Sequence, residues 1–454
     1  MKKRLAERKK VLKKTLLSAF LFFIFLAGLQ PAERKTVSFN PVTFRLKNGL
    51  QVIVLEDNSL PVVSVVLAYG VGSVHDPEGK EGLAYLMQNL MFQGSENVGP
   101  LQHLNYIQNA GGELNAATTF DKTFFYQTVP SNQLGLVLWL ESDRMHFLKI
   151  TEGLLAREKE SIIRSLNERV MQEPFSHYFF LIDQILYPDF KYGHALTGTP
   201  KSIREITLED VTRFYRKYYV PGNAVLCISG NVRPERAREL VSRYFETIPR
   251  GEEPEPYPQP EFIPAISARD QVMFDSRVST AGLQFGLRLD ELRPEDYLVL
   301  RLLEQLLIQG ATSRLVNRLV KKERLAVYLD GGLEEKGQFV SLKIFLLANS
   351  QIMAERAKKS LMDELNRVRT EIVPEREFVK VKNNFKYRYL TQLCGSNLSR
   401  ALTLADYYLR EGRLPDPAFQ LERLEKLTPY SILALARRQL KAEKFCFITI
   451  LPGR

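Results

Sequence analysis

The hydrophobic pattern changes period several times along the chain, and each change marks an element. Val42-Thr43-Phe44-Arg45-Leu46-Lys47 alternates apolar and polar, then come Asn48-Gly49 and the apolar run Leu50-Gln51-Val52-Ile53-Val54-Leu55. Two strand-like runs about Asn-Gly predict a hairpin, because both residues accept the positive φ of a tight turn. A third strand is predicted from Val62 to Gly70. Leu83, Leu86, Leu90 and Met91 then recur at helical spacing, which predicts an amphipathic helix carrying Tyr85 to Phe92. Helical spacing returns over 100–110, 131–147, 151–173 and 207–218. The stretch from Gly111 to Tyr126 reads as strand, turn, strand, and Val225 to Gly230 as a buried strand.

The pattern then breaks. Residues 250–261 hold four Pro and four Glu with almost nothing apolar, the composition of a stiffened linker. Beyond it the order of elements repeats. Strands are predicted over 272–274 and 282–289, a helix over 294–308, a small-residue loop from Gly310 to Ser313, and another helix. Strands from Ala326 and Val340, helices over 353–369 and 375–390, and a closing helix and strand within 429–451 complete the half. The reading is an α+β chain of two homologous αβ domains, residues 38–249 and 262–454, joined by the linker.

Length agrees with this, since 454 residues exceed one ordinary domain and predict two to four compact units. Hydrophobic residues at 45% and charged residues at 25% are those of a folded chain. The net charge of +11 suggests nucleic acid until it is located. Residues 1–14 hold eight Lys/Arg against Glu7, a net of +7, so the remainder is only mildly basic and no nucleic-acid partner is expected.

That basic cluster precedes an apolar run of about fourteen residues, Leu16 to Leu29, which is short of the roughly twenty needed to span a bilayer. The layout is a secretory signal over residues 1–32, with an uncleaved inner-membrane anchor as the rival. Either places the chain outside the cytoplasm, in the periplasm or cell envelope, and allows membrane contact only through this segment. Cys227, Cys394 and Cys446 form no CxxC and are odd in number, so no disulfide framework is expected.

Gly82-Leu83-Ala84-Tyr85-Leu86-Met87-Gln88-Asn89-Leu90-Met91-Phe92-Gln93-Gly94-Ser95 resembles the active-site helix of the insulinase/pitrilysin zinc metallopeptidases, Gly-Leu-Ala-His-x-x-Glu-His-x-x-Phe-x-Gly-Thr. Gly111-Gly112-Glu113-Leu114-Asn115-Ala116-Ala117-Thr118 also resembles a block of that family. The resemblance runs from residue 40 to the end. It implies domains with mixed, mostly antiparallel sheets covered by helices, together forming half of a clam-shell. It further implies that Gly112, Glu113, Leu114, Asn115 and Ala116 lie on an exposed edge strand where peptide pairs as an added strand.

The family's chemistry is missing at each matching position. Its two zinc-binding His are Tyr85 and Asn89 here, and its general-base Glu is Gln88. The third ligand, a Glu about 76 residues on, falls at Ser165, with Glu158 and Glu160 nearby. A phenol, two neutral amides and a hydroxyl do not compete for zinc, and Gln88 cannot accept a proton at neutral pH. No pair among His75, His103, His146, His177 and His194 is three or four residues apart, and each reads as a loop or surface histidine, His194 being nearest the family's cleft. An Arg and a Tyr that hold substrate in the family fall at Val320 and Val327. Lys321 and Tyr328 sit one residue later, where an α-helical position turns by about 100° and a strand position faces the other way.

The resemblance therefore implies a non-catalytic homologue without zinc that binds peptide and pairs with an active paralogue or with itself. Two other readings stay open: a metalloendopeptidase with unorthodox ligands, and a structural core subunit of an envelope assembly.

Overall fold

The computed structural model describes residues 40–173, 175, 178–188, 192–252 and 267–453. The predicted signal or anchor segment over residues 1–32, His177 and residues 253–261 of the linker lie outside these.

Two sheets organise the fold. The first contains β1 (Val42–Arg45), β2 (Gln51–Glu56), β3 (Val62–Tyr69), β4 (Glu113–Thr118), β5 (Thr123–Pro130) and β6 (Ala224–Gly230), in the spatial order β1-β2-β6-β3-β5-β4. The second contains β7 (Arg269–Asp275), β8 (Ala281–Leu289), β9 (Tyr328–Lys336), β10 (Phe339–Ala348) and β11 (Cys446–Pro452), in the order β7-β11-β8-β10-β9. In each sheet the first strand of the repeat pairs parallel with the last, β2 with β6 and β7 with β11. All other pairings are antiparallel. The second sheet thus repeats the first without β1, so the expected duplication is present as topology. β6 and β8 are both buried along their whole length, β6 as a continuous apolar run that needs cover on both faces, β8 as an alternating strand whose second face of Gly282, Gln284, Gly286 and Arg288 is buried as well.

The predicted hairpin at Asn48-Gly49 forms, but only Gly49 takes positive φ, at 93°. The strands separate at Arg45 and Gln51, leaving a loop longer than a two-residue turn. Asn48 instead turns inward, its amide donating to the carbonyls of Phe245 at 2.7 Å and Ile248 at 3.0 Å. A side chain that can satisfy two buried carbonyls is worth more there than as a turn residue.

Two helices that periodicity did not reveal cross between the halves. Phe179–Leu186, from the first half, lies on β8 and β11 of the second sheet. Asn397–Glu411, from the second half, lies on β3 and β6 of the first. Close approach of the first is set by glycine: a Cβ on Gly286 would stand 2.6 Å from Ile182 Cγ1, and one on Gly282 would stand 2.6 Å from Phe175 Cε1. Buried charge fixes both helices. Asp183 pairs with Lys336 at 2.9 Å and with Lys343, while Arg400 pairs with Asp57 beyond the end of β2. Arg288, itself buried, donates to the Leu186 carbonyl at 2.9 Å and so caps the end of its helix.

Candidate functional site: a degenerate metal helix beside an edge strand

The helix Leu83–Leu90 starts from Gly82, whose φ of 95° belongs to glycine. A Cβ there would also meet the Thr197 carbonyl at 2.6 Å. Buried Asp76 holds the helix start, its two oxygens accepting the N–H groups of Gly82 at 2.7 Å and Ala84 at 2.8 Å. Burial pushes this carboxyl well above its ordinary range, opposed by those N–H bonds. Leu83, Leu86, Leu90 and Met91 face the core as their spacing predicts, joined by Ala84 and Met87. Each buried Leu contributes about 2 kcal/mol of transfer free energy.

The remaining face carries Tyr85, Gln88 and Asn89, all half-buried. Asn89 turns back along its own helix and donates to the Tyr85 carbonyl at 2.9 Å. Gln88 accepts a 2.8 Å hydrogen bond from the Thr118 hydroxyl at the end of β4. Past the helix end, Gln93 donates to Glu158 at 2.9 Å. Partial burial raises the Glu158 carboxyl, and the Gln93 bond moderates that rise. Glu158 is therefore engaged rather than aimed at an open position. Ser165 and Glu160 lie exposed on the same helix, Glu152–Gln172.

These donors do not fit zinc. Tetrahedral zinc sites use thiolate, imidazole or carboxylate, and here a phenol, two amides and a hydroxyl occupy the positions. Among the described residues no three His, Cys, Asp or Glu side chains converge as a metal site.

β4 is the edge of the first sheet. Gly112 precedes it closely packed, with space for a Cβ filled by Val129 Cγ1 at 2.6 Å. Glu113 and Asn115 are exposed, while Leu114 and Ala116 rest half-buried on the core. The edge strand and the degenerate helix are thus adjacent, coupled through Thr118 and Gln88. No local sequence signal indicates that coupling, because thirty residues separate the pair.

The histidines differ from their expected exposure. His103 is buried in the helix Gln102–Asn109, bonded to Gln127 at 3.4 Å and packed edge-on against Phe92, and desolvation holds it well below its usual pKa. His194 does approach the hairpin that follows β4: its ring stacks on Phe120 at 5.5 Å and its Nε2 meets the Ser73 carbonyl at 3.1 Å. Desolvation pushes it down to about 4.

Val320 lies in a π-helix, Val316–Lys322, and packs against the second core, while Val327 is exposed. A π-helix bonds i to i+5 and turns somewhat less per residue, which still leaves Lys321 facing away from the direction of Val320. Its ammonium is exposed and donates to the Ala311 carbonyl at 2.6 Å, and Tyr328 is exposed at the start of β9.

Comparison with known proteins agrees with this architecture. The model for "Insulinase (Peptidase family M16)" matches residues 52–199, and that for "Peptidase M16 inactive domain" matches residues 205–385. A zinc protease named PqqE from Helicobacter pylori is 27% identical over 80% of this chain and 82% of its own length. The beta subunit of the mitochondrial-processing peptidase of Saccharomyces cerevisiae is 21% identical over 90% of each chain. The crystal structure of a protease from Helicobacter pylori superposes with a TM-score of 0.85 at 24% identity, covering 91% of this chain and all of that one. Two family models in the proper order, on a duplicated sheet topology shared with that protease, place this chain in the insulinase family, peptidase family M16.

Proposed function

We propose that this chain is an exported, non-catalytic member of the family that binds peptide along β4 and works beside an active homologous subunit. The observation that carries the reading is the state of the Leu83–Leu90 helix. Its fold and its anchor at Asp76 are kept, while Gln88 is bonded to the edge strand and Asn89 to its own helix. A site whose polar groups are satisfied in this way presents neither a metal cage nor a general base. It presents a wall beside a free strand edge, which suits an extended peptide adding backbone hydrogen bonds.

Partnering draws support from relatives, since the yeast protein is by its name one subunit of an assembly. Export rests on the basic and apolar order of residues 1–29. No zinc is required by this reading.

The test uses the chain purified from its native envelope fraction, alone and with co-purifying homologues. Metal content, cleavage of a quenched peptide and peptide affinity are measured together. Stoichiometric zinc with turnover that Gln88→Ala abolishes would show an enzyme with unorthodox ligands. Absence of both peptide binding and a homologous partner would leave a purely structural role.

A further inference from the structure

The two sheets meet at their hairpin tips. The β4–β5 turn, Thr119 to Lys122, is held from both halves of the molecule. From the first half, Ser73 and Val74 donate their N–H groups to the carbonyls of Thr119 at 3.2 Å and Phe120 at 2.9 Å. The Phe120 ring contacts both His194, stacked at 5.5 Å, and the ammonium of Lys336, 3.7 Å from the ring centroid. From the second half, Gly337 in the β9–β10 turn donates its N–H to Asp121 Oδ2 at 2.9 Å. Lys122 pairs with Asp406 at 2.7 Å on the helix Asn397–Glu411.

Ser73 Oγ, His194 Nδ1 and Asp121 Oδ1 are buried in this grip without a hydrogen-bond partner, and Asp121 Oδ1 is the carboxyl oxygen among them. The charges around it are already committed: Lys336 to Asp183 and Glu334, Lys122 to Asp406. His194, stacked on Phe120, adds no counter-charge while neutral. A carboxylate here is only half satisfied, whereas a carboxylic acid would keep the Gly337 bond on one oxygen and lose the desolvation cost of the charge.

We propose that this hairpin tip is a protonation-sensitive clasp, in which the state of Asp121 sets how tightly the β4–β5 hairpin is tied to the second sheet and hence how freely the β4 edge moves. Burial raises Asp121 to about 6, with Gly337, Lys122 and Lys336 acting against the rise and Asp406 adding to it. The sign follows from linkage. The closed clasp binds a proton more tightly than an opened, solvated one, so closure is favoured below about pH 6 and that advantage is lost as pH rises through it. With an ordinary value for the open state, the closed-to-open ratio changes about tenfold between pH 7 and pH 5. His194 has the opposite sign, because its burial disfavours the protonated ring. Global stability therefore mixes the two, and only a local readout isolates the clasp.

The experiment is hydrogen exchange followed by mass spectrometry on the full chain from pH 5 to pH 8, corrected for intrinsic rates, on peptides spanning 113–122 and 330–340. Wild-type protection of both peptides should rise about tenfold from pH 7 to pH 5. Asp121→Asn should hold the acid level of protection at every pH. Flat wild-type protection overturns the proposal, and so does a tenfold dependence that survives in Asp121→Asn. Should that variant fold poorly, the wild-type profile decides alone, since its presence or absence does not depend on the substitution.

Discussion

The Gln88 side-chain carbonyl and the Thr118 hydroxyl, 2.8 Å apart, join the degenerate helix to the last residue of the edge strand. Gln88, which the sequence resemblance aligns with the family's general base, thus meets the edge strand as a strut. Gln88→Ala should cost about 1 kcal/mol of stability and weaken peptide binding, because β4 loses its tie. Gln88→Glu keeps an acceptor for Thr118 and should retain both. Thermal denaturation and fluorescence anisotropy with a labelled peptide separate these outcomes, and equal affinity in all three proteins would remove the strut.

Rebuilding the donor set tests whether the frame still has the shape of a zinc site. The quadruple change Tyr85→His, Gln88→Glu, Asn89→His and Ser165→Glu supplies two imidazoles and a carboxylate as ligands, with the carboxylate introduced at position 88 as base. Stoichiometric zinc by elemental analysis is expected, with little peptide turnover, because Val320 and Val327 leave a substrate carbonyl without donors. No zinc uptake would mean that Ser165, exposed on its helix, does not face Tyr85 and Asn89.

Glycine at position 286 controls the crossing of the helix Phe179–Leu186. Gly286→Ala puts a methyl group 2.6 Å from Ile182 Cγ1 and should destabilise the chain by about 1–3 kcal/mol. Gly153, in the first turn of the helix Glu152–Gln172, has nothing within 4 Å of the place a methyl group would take, so Gly153→Ala should be neutral or stabilise by about 0.5 kcal/mol. In urea denaturation the Gly286→Ala midpoint should fall, while that of Gly153→Ala should hold or rise.

Arg400 is 4% exposed and pairs with Asp57, tying the helix Asn397–Glu411 to the first sheet. Arg400→Met leaves that carboxylate without its cation and should cost about 3–5 kcal/mol. Asp57→Asn added to it should recover part of the loss. If the double variant is no more stable than the single one, the ion pair is not what holds this helix.

His194 sets an acid limit. It binds a proton near 6.5 in the unfolded chain and only near 4 when folded, so stability is present above 6.5 and falls as pH drops toward 4. Between pH 7 and pH 5 its contribution falls by about 2 kcal/mol. His194→Gln keeps a donor for the Ser73 carbonyl and should remove this fall, so that its stability relative to wild type rises by about 2 kcal/mol from pH 7 to pH 5, measured by denaturant titration at each pH.

What the sequence by itself determined was whatever depends on neighbours in the chain. The inward face of Leu83, Leu86 and Leu90 follows from a 3.6-residue period, and the expectation that Tyr85, Gln88 and Asn89 do not ligate zinc rests on their side-chain chemistry. Strand runs at 62–70 and 225–230 were legible because strands buried on both faces are nearly continuously apolar, and 282–289 because Leu283, Phe285, Leu287 and Leu289 recur with period two. Only the tertiary structure decided that Asn48 would reach Phe245 and Ile248 instead of taking its own turn, that Gln88 would meet Thr118, and that each half would lend a helix to the other's sheet. The helices Phe179–Leu186 and Asn397–Glu411 bury their apolar faces against strands about a hundred residues or more away. Their partners are set by packing across the whole chain, which no local period encodes.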